Sequence, residues 1–142
     1  MEPRISLVTL GVWDLDRSAA FYERLGWTRS GPSMGVAFFQ LGPLVLSLYS
    51  RDALAKDINI AGHGEGFAGF TLAHNVRTRE EVDDVVDRWV AAGGTLTRAP
   101  FTADWGGYIA FVADLDGHLW EIAWNPQFPI DDAGGVHLPG AS

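Results

Sequence analysis

The sequence predicts an α+β fold in which two βαβββ modules pair as curled mixed sheets around a concave cleft. Strand and helix patterns occur in the order β-α-β-β-β, are followed by a glycine-rich linker, and then recur in the same order. The chain has 142 residues, of which 47% are hydrophobic. That length suits one domain in which two short modules share a core. The predicted divisions are module one at 4–50, a linker at 51–66, module two at 67–125 and a C-terminal tail at 126–142.

Module one opens with an apolar run from Ile5 to Val12 that is typical of a strand. Asp14 or Asp16 can cap the helix that follows, and Gly26 can end it. Short strands are expected next at 27–30, 36–41 and 44–49, with a helical turn at 52–57 in the linker.

Module two repeats this order, beginning with a strand from Phe70 to His74. Val8-Thr9-Leu10 and Phe70-Thr71-Leu72 form a weak internal repeat, each opening a module. Thr78-Arg79-Glu80-Glu81 is a capping box, in which the Thr hydroxyl and the third-position Glu satisfy helix N–H groups. An apolar helical stripe follows, formed by Val82, Val85, Val86, Trp89 and Val90. Strands are predicted at 95–99, 108–113 and 118–124, and the residues from Asn125 onward are expected to be extended or loose.

Composition narrows the possible partners and location. The net charge is −8 and the ten basic residues are scattered, which opposes nucleic-acid binding and mildly favours a neutral or cationic ligand. No apolar run of about 18 residues and no signal-peptide pattern occurs, so we expect no membrane insertion or export. Together with the absence of cysteine, this predicts a soluble, cytoplasmic protein.

One carboxylate, Glu121, raises the main chemical question. It lies in a turn and strand from Asp114 to Trp124, where Asp-Gly turn residues lead into apolar positions. A charged group within an apolar strand costs free energy unless something pairs with it. Glu121 is therefore a candidate metal ligand, a candidate acid/base group, or a paired structural group.

Two motifs resemble the vicinal oxygen chelate superfamily, which includes glyoxalases, bleomycin resistance proteins and extradiol dioxygenases. One runs from Val12 to Tyr22 and is followed by Leu25-Gly26, and the other runs from Asp114 to Glu121. The resemblance spans nearly all of residues 4–125 and is specific for the fold rather than for the reaction. It implies paired βαβββ modules around a ligand cleft, commonly in a homodimer, and therefore a small-molecule ligand.

The resemblance also allows the family's metal ligands to be counted. Metal-using members hold a divalent cation at four positions, which here correspond to about Leu7, Phe70 or Thr71, Ser47 or an adjacent Leu, and Glu121. Only Glu121 is a side chain of the kind that family sites use, and a divalent site needs several converging N or O ligands. We therefore expect no metal ligands and no metal cofactor.

His74 is a second candidate catalytic residue, to be considered together with Glu121. Its parity with Phe70 and Leu72 could place it in the same cleft as Glu121, as a weak metal ligand or as a metal-free polar partner. Local hydrogen bonding at the end of the strand is the favoured alternative. We expect His63 and His137 to be solvated, and His118 to point away from Glu121.

Aromatic and polar residues could line the ligand pocket. The glycines between Trp105 and Tyr108 let the backbone bend, and these rings could stack on a planar or cationic molecule or pack in the core. Trp120 and Trp124 alternate away from Glu121, so we expect them to pack. The predicted ligand-binding residues are Phe39, Ser47, Phe70, Trp105 and Tyr108.

Three functional hypotheses follow. The first is a metal-independent small-molecule-binding protein with a neutral or cationic ligand of aromatic character. The second is a glyoxalase- or dioxygenase-like lyase, isomerase or oxygenase that uses Glu121 and His74. The third is an interaction module whose cleft is filled by side chains.

Overall fold

The computed structural model describes residues 1, 3, 5–30, 35–62, 64–68 and 70–139. The chain divides into two compact units, residues 1–68 and residues 69–142, each with one four-stranded mixed sheet. The α+β class and the repeated βαβββ order are both confirmed. His63, which was expected to be solvated, lies outside the described residues. No helix in the described part of the chain is long and apolar enough to cross a membrane.

Module one has its strands in the order β1-β4-β3-β2, with β1 parallel to β4 and the other neighbours antiparallel. The linker predicted after it contains a short helix, α2, capped by Ser50. The elements are β1 (Leu7–Val12), α1 (Leu15–Arg24), β2 (Arg29–Ser30), β3 (Val36–Leu41), β4 (Leu44–Ser50) and α2 (Arg51–Asp57).

Helix α1 covers one face of the module-one sheet. Asp14 caps it by accepting a hydrogen bond from the Arg17 N–H at 3.0 Å, and Gly26 ends it at φ 105°, a conformation that glycine adopts without strain. The buried ring of Tyr22 stacks on Trp27 with centroids 5.3 Å apart and lies 6.0 Å from Phe39. These aromatic contacts form much of the core of this unit.

Module two has the equivalent strand order β5-β8-β7-β6, with β5 parallel to β8. Strand β5 begins two residues later than predicted, and β6 continues to Thr102 because Phe101 and Thr102 pair with β7. The elements are β5 (Leu72–Val76), α3 (Arg79–Ala91), β6 (Thr95–Thr102), β7 (Tyr108–Ala113) and β8 (Leu119–Trp124).

Helix α3 packs on this sheet through Val82, Val86 and Trp89. Thr78 accepts from the Glu81 N–H as predicted, but the Glu81 carboxylate accepts from the N–H of Arg77, one residue before the cap. The Trp89 indole N–H donates to the Ala113 carbonyl at 2.7 Å, and this ring lies 5.7 Å from that of Trp120. The expected packing role of Trp120 is therefore confirmed, whereas Val90, placed in the apolar stripe, is 48% exposed.

The segment after β8, which was expected to be extended or loose, makes a β-bridge and a hydrogen bond to the rest of module two. Ile130 and Val136 form an isolated β-bridge, and the Arg77 guanidinium donates to the Asp131 carbonyl at 2.7 Å. His137, expected to be solvated, is exposed but bonds the Asp131 carboxylate at 2.8 Å. The hydrogen bonds from His137 and the Gly135 N–H lower the pKa of Asp131.

Candidate functional site

The two modules place three equivalent positions side by side on the sheet face away from the helix. In module one, Ser47 on the inner strand β4 lies between Thr9 of β1 and Phe38 of β3. In module two, Glu121 of β8 lies between Ala73 and Phe111. Thr9 and Ala73 each precede the cap of their module's helix by five residues. The repeat therefore aligns Val8-Thr9-Leu10 with Leu72-Ala73-His74, two residues later than predicted.

Glu121 is a half-buried carboxylate among apolar neighbours. Burial alone raises its pKa above the ordinary value, since desolvation disfavours the charged form. Within the described ranges, no protein group donates a hydrogen bond to this carboxylate and none forms a salt bridge with it. The carboxylate is therefore available to a ligand.

Glu121 opens into a groove of about 460 Å³ in module two. Trp105 and Phe128 supply aromatic surface, and three side-chain amides add hydrogen-bonding groups. The lining residues are Ala73, Asn75, Trp105, Glu121, Ala123, Asn125, Gln127 and Phe128.

Local backbone geometry positions this lining. A Cβ at Gly107 would overlap the Trp105 ring, so glycine is required for the ring to fold back over the turn. The Asn125 carboxamide accepts from the Gln127 N–H at 2.9 Å, and the Asn125 carbonyl accepts from the Phe128 N–H at 3.1 Å. These bonds turn the chain after β8 back toward the groove.

Asn125 and Gln127 were missed from the sequence because the residues from Asn125 onward were expected to be extended or loose, and Asn75 was missed because the predicted strand ended at His74. A usable signal was present in the strand alternation. Asn125 has the parity of Glu121 and Ala123, and Asn75 is the β5 partner of Ala123.

His74 lies on the opposite face of the sheet from Glu121, so the expectation of a shared cleft is wrong. Neighbouring residues in register point to the same face, and His74 pairs with Ile122 whereas Glu121 pairs with Ala73. The His74 ring faces a separate groove beside α3. The repeat alignment explains this, because His74 corresponds to Leu10, a buried residue on the helix side of module one.

Tyr108 also lies on the helix side of the sheet. Its hydroxyl donates to the Asp83 carboxylate at 2.9 Å, and the Arg79 guanidinium lies 4.4 Å from its ring centroid. Desolvation, followed by the hydrogen bond to Asp83, raises the pKa of Tyr108. Trp124, its cross-strand partner, shares this face as predicted. Of the aromatic pair around the two glycines, only Trp105 lines the Glu121 groove.

The other predicted ligand-binding residues do not line that groove. Phe39 is fully buried in the core of module one. Ser47 is buried, and its hydroxyl lies 2.6 Å from that of Thr9. Phe70 is 48% exposed and precedes β5.

The residues at the family's metal positions do not fit that metal site. Leu7 and Phe70 have no ligand atom, Thr71 lies outside β5, and the Ser47 hydroxyl is engaged by Thr9. Glu121 is the one carboxylate among these positions. A divalent ion held by oxygen or nitrogen needs more ligands than this.

A different group of potential ligands, Asp114, Asp116 and His118, lies in the β7–β8 turn. One ligand atom from each lies within 4.8 Å of the others, which leans against the expectation of no metal cofactor. The buried Asp114 carboxylate also organises the turn. Its Oδ1 accepts from the N–H groups of Asp116 and His118, both at 2.9 Å, and its Oδ2 lies 2.7 Å from His118 Nδ1. His118 is thus held in the turn, away from Glu121.

Comparison with known proteins identifies the family. The model of the Glyoxalase/Bleomycin resistance protein/Dioxygenase superfamily matches residues 4–122. The chain belongs to this superfamily. The fold and both motifs agree with that membership.

Individual relatives within and around the superfamily differ in their named functions. The chain is 29% identical to a bleomycin resistance protein of Klebsiella pneumoniae over 79% of this chain and 85% of that protein. It is 31% identical to the lactoylglutathione lyase GLX1 of Arabidopsis thaliana over 86% of this chain, which spans 44% of that longer protein.

Solved structures give the same fold. A glyoxalase-related enzyme from Fulvimarina pelagi matches with a TM-score of 0.88 and 39% identity, covering 96% of this chain and 98% of that one. A superfamily member from Burkholderia phytofirmans PsJN has a TM-score of 0.75 and 24% identity, with 84% and 96% covered, which shows likeness of fold alone.

Proposed function

We propose that the chain binds a small aromatic molecule, cationic or neutral, in the Glu121 groove without a family-type metal. The observation that carries this proposal is the half-buried Glu121 carboxylate, which has no hydrogen-bond donor among the described residues and opens into a groove lined by Trp105 and Phe128. A site of about 460 Å³ falls in the range used for small ligands.

The groove favours positive over negative ligands for a simple electrostatic reason. An anion would face the Glu121 carboxylate at low dielectric, whereas a cation would pair with it and also stack on an aromatic ring. The net charge of −8 acts in the same direction over longer distances. The amides of Asn75, Asn125 and Gln127 can donate or accept, so they would orient polar groups on the ligand.

Metal independence is supported by the residues at the family's ligand positions. Leu7 and Phe70 lack ligand atoms, and Ser47 is hydrogen-bonded to Thr9. The Asp114 carboxylate is engaged by three groups of its own turn, and a metal bound between its Oδ2 and His118 Nδ1 would have to replace their 2.7 Å contact. Protein purified without chelators is therefore expected to contain less than stoichiometric metal by elemental analysis.

Three planar probes of similar size separate the effect of charge from that of shape. Benzamidine, benzamide and benzoate are cationic, neutral and anionic at neutral pH. Thermal-shift titration should show stabilisation in that order, with benzamidine raising stability by about 2.7 kcal/mol at 100 times its Kd. Bleomycin joins the panel because the Klebsiella relative is named for resistance to it.

Two variants locate the binding. Glu121→Gln should weaken benzamidine more than benzamide, and Trp105→Ala should weaken both. Glu80→Gln, at an exposed position in the first turn of α3, is the matched control and should bind like wild type. Saturable binding that is insensitive to both groove variants, or no binding by any cationic or neutral probe, would contradict the proposal.

An enzyme is the second candidate, favoured by the raised pKa of Glu121 and by the lyase and enzyme named among the relatives. Glu121 would act as a general acid or base. His74 would not assist it, because it lies on the other face of the sheet. Lactoylglutathione turnover, assayed with and without added divalent metal, tests this candidate. Activity that Glu121→Gln leaves unchanged would remove the acid/base role.

We further propose a homodimer, in keeping with what the family resemblance implies. Light scattering after size exclusion should give twice the 15.4 kDa chain mass. A monomer at micromolar concentration would remove this part of the proposal without touching the groove. A filled cleft, the expectation of the interaction-module hypothesis, is not supported by the open groove at Glu121.

A further inference from the structure

A second groove, of about 420 Å³, lies on the other side of module two. Its walls are the edge strand β5, helix α3 and the bridged segment around Ile130 and Val136. The Glu121 site does not use it. The lining residues are Ala73, His74, Asn75, Val76, Arg77, Glu81, Val85, Arg88, Ile130, Gly134 and Val136.

His74 contributes an imidazole that no described residue engages by a hydrogen bond. The ring is solvent-accessible, but protein atoms crowd it on the side of α3. Desolvation and then the charge of Arg88 lower its pKa, while the Glu81 charge acts in the opposite sense. The ring is therefore neutral at pH 7, with one nitrogen able to donate and the other able to accept.

Arg88 contributes a guanidinium with spare donors. Its Nε makes only a long contact of 3.4 Å to the Asp84 carbonyl, and no other partner occurs among the described side chains and backbone. The other charged groups of the groove each make one shorter hydrogen bond. Arg77 donates to the Asp131 carbonyl, and Glu81 accepts from the Arg77 N–H. Arg88 and His74 thus both have hydrogen-bonding groups that a ligand could engage.

Four aliphatic side chains also line the groove. Val76 and Val85 form the wall on the β5 and α3 side, and Ile130 and Val136 form the wall contributed by the bridged segment. Such walls suit a short branched hydrocarbon. The planar fork of a guanidinium matches a carboxylate through two parallel N–H···O bonds, which an ammonium or a neutral group does not reproduce.

From this arrangement we propose that module two has a second ligand site, which takes a small aliphatic carboxylate. The carboxylate accepts from the Arg88 fork and from one N–H of His74, and the hydrocarbon body packs between the valine and isoleucine walls. This ligand class is opposite in charge to the one proposed for the Glu121 groove. The two grooves share Ala73 and Asn75 of the edge strand β5, but His74 and Glu121 lie on opposite faces of the sheet, so a variant of either residue tests its own site.

NMR titration of the intact chain with 4-methylpentanoate tests the site. The chain has four histidines, whose Cε1–H signals can be followed, and His74 is assigned by its absence in His74→Gln. A saturable shift of the His74 signal is expected with 4-methylpentanoate. The uncharged isostere 4-methylpentan-1-ol should shift it far less.

Arginine variants give the matched comparison. Arg88→Gln should weaken 4-methylpentanoate at least about tenfold, and Arg88→Lys should give an intermediate loss because the charge remains while the fork is removed. Arg24→Gln removes an exposed arginine from the last turn of α1 and should bind like wild type. Circular dichroism checks the fold of each variant. No saturable His74 shift, equal shifts by the alcohol, or unchanged affinity in Arg88→Gln would overturn the proposal.

Discussion

Modules one and two carry different residues at equivalent positions on their inner strands. The centre of each helix-free sheet face holds a Phe on one side and a short residue on the other, but Ser47 stands in module one where Glu121 stands in module two. Ser47 is buried and bonded to Thr9 at 2.6 Å. Glu121 lies opposite Ala73, which offers no partner, and opens into a groove.

The difference shows how a duplicated fold can separate structure from chemistry. Two hydroxyls that bond each other satisfy a buried polar position and leave nothing for a ligand. A half-buried carboxylate beside alanine leaves its hydrogen-bonding capacity unused by protein, at the cost of desolvation. Site chemistry is therefore expected in module two, and module one is expected to tolerate no charge at Ser47.

Placing a carboxylate in module one should have the largest effect. Ser47→Glu buries a charge at a position where the single hydroxyl of Thr9 cannot satisfy a carboxylate, so we expect a loss of about 4 kcal/mol or more in the free energy of unfolding by urea titration. The reciprocal Glu121→Ser should stay within about 1 kcal/mol of wild type. Ser30→Glu, at an exposed position of the same sheet as Ser47, controls for the added charge. Equal tolerance of both glutamates would break the comparison.

Substitutions in the turns that lead into the inner strands of the two modules should also lower stability by different amounts, but the difference should be smaller. The β7–β8 turn depends on three hydrogen bonds to buried Asp114, so Asp114→Ala should cost about 3 kcal/mol. The β3–β4 turn depends on Gly42 at φ 61°, and Gly42→Ala should cost about 1 kcal/mol. Thermal melts of the wild-type protein with and without EDTA should superimpose. A lower Tm in EDTA would instead assign Asp114, Asp116 and His118 to a metal.

The sequence was sufficient for the order of elements because turns and caps are local. Asp14, Thr78 and Gly26 act within a few residues of themselves, and each was found where the pattern indicated. The ends of β5 and β6 were wrong because pairing with β8 and β7 decides them, and pairing is not local.

The candidate site was only partly predictable for the same reason. Glu121 could be found because a charge in an apolar strand is conspicuous, and Trp105 because two glycines follow it. His74 was assigned to the wrong face because the second-module ligand position was placed at Phe70 rather than at Thr71, and an error of one residue reverses the face of a strand. Aligning the modules on their caps, Asp14 and Thr78, would have paired His74 with buried Leu10.

Removing the charge of Glu121 should stabilise the protein modestly at neutral pH. The folded-state pKa of Glu121 is raised by burial, so the folded state binds its proton more tightly and wild-type stability falls as pH rises through that pKa. We expect Glu121→Gln to melt about 1 to 4 °C higher than wild type at pH 7, and the gap to close under acid conditions. A gap of constant size across pH would contradict the assigned cause.

The smallest expected effect on stability is that of His74, whose contribution changes with pH in the opposite direction to that of Glu121. Its folded-state pKa is lowered from 6.5, so the unfolded chain takes up the proton first and stability falls as pH falls below that value. Wild type should lose under about 2 °C more than His74→Gln across this window. An NMR titration that places the folded-state pKa of His74 above 6.5 would contradict this.

Isothermal titration of benzamidine into wild type and Glu121→Gln tests the central claim most directly, with Ser47→Ala as the module-one counterpart. We expect saturable binding by wild type and by Ser47→Ala, and a loss of at least about tenfold in Glu121→Gln because a desolvated ion pair is removed. Equal affinity in all three proteins, or a loss confined to Ser47→Ala, would contradict the assignment of the ligand site to module two.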